Sequence, residues 1–196
     1  MPASFFCYNL FGGNIMHIRR ALEKDLERIE EIYDAILKDT EDGLIHTNWK
    51  RGVYPTRQTA EEGIEKKELF VLIDREKILG AVKINQEQVP EYKNASWEYE
   101  VADNLIMAIH TLTIDPKFKN RGCGKYLMNF YEDYALIHSA PYLRMDTVET
   151  NIDALSFYKK LGFKNVGTVS CTFNGIPNTN LVCLEKSLVK TKKKAE

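Results

Sequence analysis

A chain of 196 residues with 44% apolar content is long enough to bury a sizeable core and short enough to form one domain. Its formal net charge of -1 argues against the basic footprint of a nucleic-acid-binding protein, and no apolar run reaches bilayer-spanning length. Four cysteines at positions 7, 123, 171 and 183 make no C-x-x-C pair and four histidines are scattered, so no metal site is expected. Such unpaired thiols suit a reducing, cytoplasmic setting.

Residues 1–15 lack the basic n-region of a secretory signal. They read as an N-terminal extension, with one domain over 16–188 and a charged tail over 189–196. A short strand at 17–20 precedes Leu22, Leu26, Ile29, Tyr33 and Ile36, whose spacing of three and four predicts an amphipathic helix. That period is lost over 39–55, a long loop carrying Trp49 and Tyr54. Loops of this length are often functional, and the two aromatic residues are candidate substrate contacts. Thr56 or Thr59 is placed to cap a second helix ending near Lys67. Strands at 69–73 and 78–84 form a predicted hairpin, and the polar stretch 85–104 connects it to the centre of the chain.

That centre is residues 105–131. Residues 105–114 are apolar and partly β-branched, which predicts a central strand covered on both faces. Pro116 ends it, and Lys119-Asn120-Arg121-Gly122-Cys123-Gly124 makes a short basic turn before Lys125 opens a helix. A strand entering a helix N-terminus through a glycine-bearing turn is suited to hold phosphate. The first N–H groups have no partner within the helix, and the macrodipole adds about half a positive charge there. Gly122 and Gly124 leave the backbone open to an oxygen, and Lys117, Lys119, Arg121 and Lys125 add charge with no acid among them. A further strand follows at 142–148. Asn151 caps a helix that presents Ala154, Leu155, Tyr158 and Leu161 on one side and ends at Gly162. Strands at 163–173 and 181–188 close the chain as a hairpin around Asn174-Gly175.

The turn at 119–124 resembles the acetyl-coenzyme A signature of the GNAT acetyltransferases, Arg/Gln-x-x-Gly-x-Gly/Ala after a strand, with Lys119 in the Arg/Gln position. A second stretch, Asn151-x-x-Ala154-x-x-Phe157-Tyr158-x-x-Leu161-Gly162-Phe163, matches that family's later motif without a break. The resemblance spans about residues 17–188. It implies an α/β (α+β) GNAT fold: a mixed central sheet of about seven strands with helices on both faces. It also implies acetyl-CoA as co-substrate, held by Leu112, Thr113, Ile114, residues 119–125 (Lys119, Asn120, Arg121, Gly122, Cys123, Gly124, Lys125), Asn151, Ala154, Phe157 and Tyr158. In the family the strand carrying Leu112–Ile114 splays from the next one, so that its backbone holds the acetyl carbonyl and pantetheine arm. Tyr158 takes the family position of the proton donor to the departing thiolate. Cys123 falls where the family packs an apolar residue under the turn.

The implied reaction is direct attack of a primary amine, from a small molecule or peptide, on acetyl-CoA in a ternary complex, with no nucleic acid, membrane or metal partner and room for a homodimer. The rival readings are a non-catalytic acyl-CoA sensor on the same fold, or an acyltransferase with another acyl donor or acceptor. Retention of Tyr158 favours the enzyme. An alkylammonium of pKa ~10.4 is neutral in about one molecule in 2,500 at pH 7, so a base is useful. His110 has a suitable intrinsic pKa, and strict strand alternation would put it on the face of Ala108, Leu112 and Ile114. Glu98 and Glu100 compete from an unplaced segment, and a hydrogen-bonded structural role for His110 remains open beside the catalytic one.

Overall fold

The computed structural model describes residues 6–9 and 15–189. Within them the strands are β1 (Phe6–Asn9), β2 (Ile15–Arg20), β3 (Leu69–Asp74), β4 (Lys77–Asn85), β5 (Ile106–Ile114), β6 (Tyr142–Val148), β7 (Lys164–Phe173) and β8 (Ile176–Ser187). The helices are α1 (Leu26–Glu41), α2 (Arg57–Glu65), α3 (Cys123–Ile137) and α4 (Ile152–Lys160). The eight strands form one sheet in the order β1-β2-β3-β4-β5-β6-β8-β7. The eighth, beyond the seven or so expected, is β1, which pairs antiparallel with β2 from inside the expected N-terminal extension. Residues 1–5, 10–14 and 190–196 lie outside the described residues.

Local sequence accounts for most boundaries. Leu22, expected in the first helix, stands outside it, because the chain makes a 3₁₀ turn at Glu23–Asp25 before α1 begins. Both candidate caps act at α2: the Thr59 N–H donates to Thr56 Oγ1 at 3.3 Å, and the Thr56 N–H donates to Thr59 Oγ1 at 3.0 Å. A cap of this type is worth ~1 kcal/mol. Asn174 and Gly175 carry φ of 49° and 76° in the turn from β7 to β8. Two consecutive positive φ values are what a tight hairpin turn requires, and Asn-Gly tolerates them best. The final strand consequently starts at Ile176, five residues before its predicted start.

Two apolar clusters flank the sheet. Helix α1 buries Ile29, Ile32, Tyr33 and Ile36 with Val71, Ile73 and Ala81. The other cluster joins Leu127, Phe130 and Tyr131 of α3 and Tyr158 of α4 to Phe70, Leu72, Met107, Ile109, Leu143 and Met145. The segment 86–105 makes a third, smaller cluster in which Tyr92 packs with Val169 and Cys183.

The sheet opens at its centre. β5 and β6, its parallel pair, are in register only at Ile106↔Tyr142, Met107↔Leu143 and Ala108↔Arg144. Beyond that point β5 stays with β4 as far as Ile114, while β6 stays with β8 as far as Val148. The inner edges of both strands therefore lose their ladder partners, and a wedge opens between them. A backbone edge without partners must find others, which makes the wedge a ready site for an extended ligand.

Candidate active site

A cavity of about 1090 Å³ passes through this wedge. Its α3–α4 end is lined by Leu112, Ile114, Lys119, Asn120, Gly122, Cys123, Gly124, Lys125, Asn151, Ala154, Phe157 and Tyr158. Gly122 caps α3 with φ 81°, a left-handed conformation that favours glycine. The Tyr126 N–H donates to the Gly122 carbonyl at 3.0 Å and opens the helical ladder of α3, so the N–H groups of Cys123, Gly124 and Lys125 precede it. Gly124 is needed for space: a Cβ there would lie 3.3 Å from the Phe157 ring. The turn is anchored from below, where buried Asp115 pairs with Arg28 of α1 and accepts from the Lys117 N–H at 2.9 Å. Asn151 Oδ1 accepts from the Ala154 N–H at 3.3 Å, capping α4 beside the same cavity.

Two expected contacts fall elsewhere. The Thr113 side chain is buried and donates to the Ala81 carbonyl at 3.1 Å, and the residue does not line the cavity. Arg121 lies over the Phe118 ring, 5.4 Å from its centroid, also outside the cavity lining. Cys123 is 2% exposed within the core, and burial raises its thiol pKa, which suits packing rather than nucleophilic attack.

Tyr158 is buried at the wedge. Its phenol is held above its ordinary pKa by burial first and the charge of Asp146 second, so it keeps its proton throughout the neutral range.

The far end of the cavity is assembled from distant segments. Trp49 and Tyr54 line it together, their rings edge to face at 5.9 Å. The Tyr54 hydroxyl is hydrogen-bonded to Thr111 Oγ1, and burial pushes its pKa up to about 12. The Asn48 amide donates to Thr179 Oγ1 of β8 at 2.9 Å, tying the aromatic loop to the last hairpin.

His110 lines this end but does not sit as alternation predicts. Thr111 has φ 48°, and the register of β5 on β4 jumps from Lys83↔His110 to Ala81↔Thr113, so β5 carries an extra residue there. This bulge reverses the facing of the strand. Met107 and Ile109 pack on the α3 side before it, and Leu112 and Ile114 pack on that side after it. His110 therefore does not share a face with Leu112 and Ile114. Its Nε2 meets Asn85 Oδ1 at 2.9 Å, and Asn85 Nδ2 in turn donates to Glu68 Oε2 at 2.9 Å. Burial first, then the charge of Lys83, pushes the imidazole down to about 4, with Glu87 opposing. Glu98 is turned away in an exposed ion pair with Lys164 at 2.7 Å, and neither Glu98 nor Glu100 lines the cavity.

Sequence reasoning overlooked Asp146. Its strand is predicted, but its partner is not: Tyr92, in the segment 86–105, donates its hydroxyl to Asp146 Oδ2 at 2.8 Å, and the carboxyl is half-buried at the cavity. That segment is clamped by Arg144, which donates to the Tyr99 carbonyl at 2.8 Å and to Gln88 Oε1 at 2.6 Å, and lies 4.1 Å from the Trp97 ring centroid. Glu185, 1% exposed, accepts from Arg144 Nε at 3.4 Å and from the Glu98 N–H at 2.8 Å. No local motif announces so dispersed an arrangement.

A mixed sheet parted between its two parallel strands, with a glycine-bearing helix N-terminus at the opening, defines the class of acyl-CoA-binding folds to which the two sequence motifs also point. The model of the Acetyltransferase (GNAT) family matches residues 27–163, and the chain belongs to that family. It is 30% identical over 71 residues to an uncharacterised N-acetyltransferase of Methanocaldococcus jannaschii, a match covering 36% of this chain and 31% of that protein. The chain thus spans about a third of that curated relative's length. A GNAT-family acetyltransferase structure from Streptococcus agalactiae superposes with a TM-score of 0.75 at 21% identity, over 93% of this chain and 100% of the other. A candidate acetyltransferase from Salmonella typhimurium, solved with its cofactor acetyl-CoA, superposes with a TM-score of 0.64 at 15% identity, over 92% of this chain and 98% of the other. Both likenesses concern the fold.

Proposed function

We propose that the protein is an N-acetyltransferase that uses acetyl-CoA to acetylate a primary amine of a small molecule or peptide by direct attack in a ternary complex. The observation that carries this reading is the placement of Tyr158 at a wedge in the sheet that opens beside the N-terminus of α3. The donors there fit the co-substrate: N–H groups of Cys123, Gly124 and Lys125 for a diphosphate, with Lys119 and Lys125 adding charge. Partnerless edges of β5 and β6 suit an amide-bearing arm. When bound, acetyl-CoA supplies an activated acyl group as a thioester.

The chain's own residues do the rest. Gly122 and Gly124 keep the turn open. The inner edge of β5 around Leu112 and Ile114 orients the acyl end and offers its N–H groups to the carbonyl. Tyr158, still protonated at neutral pH, supplies a proton to the sulfur as the C–S bond breaks. Trp49 and Tyr54 shape the acceptor end of the cavity and exclude water from it. A panel of primary amines, read by free-thiol release from acetyl-CoA, tests the reading. Turnover with at least one amine is expected. Binding of acetyl-CoA without thiol release from any amine would favour the sensor, and turnover only with alcohols or other acyl thioesters would favour the remaining rival.

A further inference from the structure

Resting on that reading, we infer that Asp146 is the base that takes the proton from the acceptor nitrogen, and that Tyr92 positions and tunes it. Asp146 lies on β6 two residues beyond Arg144, the last residue paired with β5, and so stands at the mouth of the wedge. Its cross-strand partner is Cys183, which packs with Tyr92 and Val169, whereas Met145 and Leu143 belong to the α3–α4 cluster. The carboxyl therefore faces the side opposite α3 and α4, the side on which Tyr54 and Thr111 close the cavity. Tyr158 comes from α4 on the other face, near enough for the Asp146 charge to raise its pKa. Base and acid thus flank the wedge from opposite faces, as a reaction that deprotonates an incoming nitrogen and protonates a departing sulfur requires.

The balance is complete. A neutral amine forms the C–N bond and gives one proton, directly or through one water, to the Asp146 carboxylate. The C–S bond breaks with its electron pair on sulfur, Tyr158 gives the sulfur a proton, and the proton on Asp146 returns through solvent to the Tyr158 oxygen.

The surroundings of Asp146 are suited to this task. The groups facing it are Tyr92 and Glu91 from the segment 86–105, Cys183 from β8, Cys171 from β7, Tyr158 from α4 and Tyr54 from the aromatic loop. Among the described residues no cation pairs with it. Burial pushes the carboxyl up to about 6, the Tyr92 hydrogen bond opposes, and the charge of Glu91 adds to the rise. A carboxyl at that value is mostly ionised at pH 7 and far more basic than an exposed aspartate of ~3.9. His110, pushed down to about 4, is the poorer acceptor despite the higher starting value of imidazole.

The test uses Asp146→Asn and Tyr92→Phe in the full chain, with the best amine of the thiol-release panel and rates expressed per neutral amine. Wild type should show an acid limb in kcat/KM near pH 6. Asp146→Asn should lose about 10²-fold and the limb with it, while calorimetric affinity for acetyl-CoA stays within about threefold. Tyr92→Phe removes the hydrogen bond that favours the carboxylate, so the limb should move alkaline by about half a unit or more. The carboxyl ¹³C signal of Asp146 in the protein alone should titrate near the same value and move the same way. A loss under about threefold with the limb intact in Asp146→Asn overturns the inference. Should that variant not fold, an unmoved limb in Tyr92→Phe overturns it. If wild type binds acetyl-CoA yet acetylates no amine, the function reading has failed and the base role goes with it. Active wild type with an equally active Asp146→Asn sinks the base alone.

Discussion

The two ends of the cavity are built differently. At the α3–α4 end a strand, a turn and a helix N-terminus come from consecutive residues, and the N–H groups of the first turn of α3 precede the helical ladder. Gly122 and Gly124 are there for what they lack. At the other end, side chains converge from the aromatic loop, the bulge of β5, β6, the segment 86–105 and the last hairpin. Burial there raises Asp146 and Tyr54 and lowers His110, so ionisation is controlled by packing over long sequence distances. One end is suited to a constant, charged co-substrate held by backbone. The other is suited to a variable acceptor, because each wall can change without disturbing the rest.

Tyr158 joins the two ends, and its substitution should have the largest effect. Tyr158→Phe keeps the ring within the core and removes the proton, so kcat should fall by about 10²-fold. The hydroxyl has no hydrogen bond to other described residues, so stability should change by less than about 1 kcal/mol. Calorimetric affinity for acetyl-CoA should barely move. Unchanged kcat would transfer the acid role to water and leave the comparison without its bridge.

How far each end was legible follows from the same contrast. The order of strands and helices from β2 onward could be read from periodicity and punctuation, and the glycine turn before α3 and the Asn151 cap of α4 from two motifs, because both depend on neighbours in sequence. The bulge at Thr111 could not, since nothing in Ile-His-Thr-Leu-Thr marks a positive φ, and the misread facing of His110 followed from it. The side chains of Thr113 and Arg121 turn away from the cavity, which the sequence leaves unmarked for a related reason. A motif locates a turn but does not say which side chains point into it. Asp146 stayed hidden because its hydrogen-bond partner Tyr92 lies 54 positions away and its raised pKa comes first from burial, which no neighbour in sequence announces.

The cradle itself is tested by Gly124→Leu. A Cβ at this position already stands 3.3 Å from the Phe157 ring, so a leucine must displace Phe157 or tilt the first turn of α3. Either movement spoils the array of N–H groups. Calorimetry should show at least tenfold weaker acetyl-CoA binding, ~1.4 kcal/mol, with the far-ultraviolet circular dichroism unchanged. Equal affinity in a folded variant would mean that the helix N-terminus is not the diphosphate site.

The smallest catalytic effect is expected at His110, although it lines the far end of the cavity beside Tyr54 and Thr111. Its Nε2 is engaged by Asn85, which is itself held to Glu68, and the bulge keeps it off the face of Leu112 and Ile114. Lowered to about 4, the imidazole is neutral at pH 7 but weakly basic. His110→Gln retains a hydrogen-bonding group and should lose less than about tenfold in kcat/KM, with the acid limb near pH 6 still present. Its larger signature lies in stability. In the folded state the group binds a proton less readily than in the unfolded chain, where its pKa is ~6.5. The unfolded state therefore holds more protons between those two values, and stability is lost as pH falls from ~6.5 through about 4. That window is worth at most about 3 kcal/mol. Urea unfolding of wild type and His110→Gln at pH 7 and pH 4.5 should show the variant losing less stability on acidification. Asp146 works in the opposite sense: its raised pKa makes its contribution fade as pH rises through about 6, so only the difference between the two proteins isolates His110. A hundredfold fall in kcat/KM together with disappearance of the limb near pH 6 would make His110 the base and reverse the roles assigned to the two walls of the wedge.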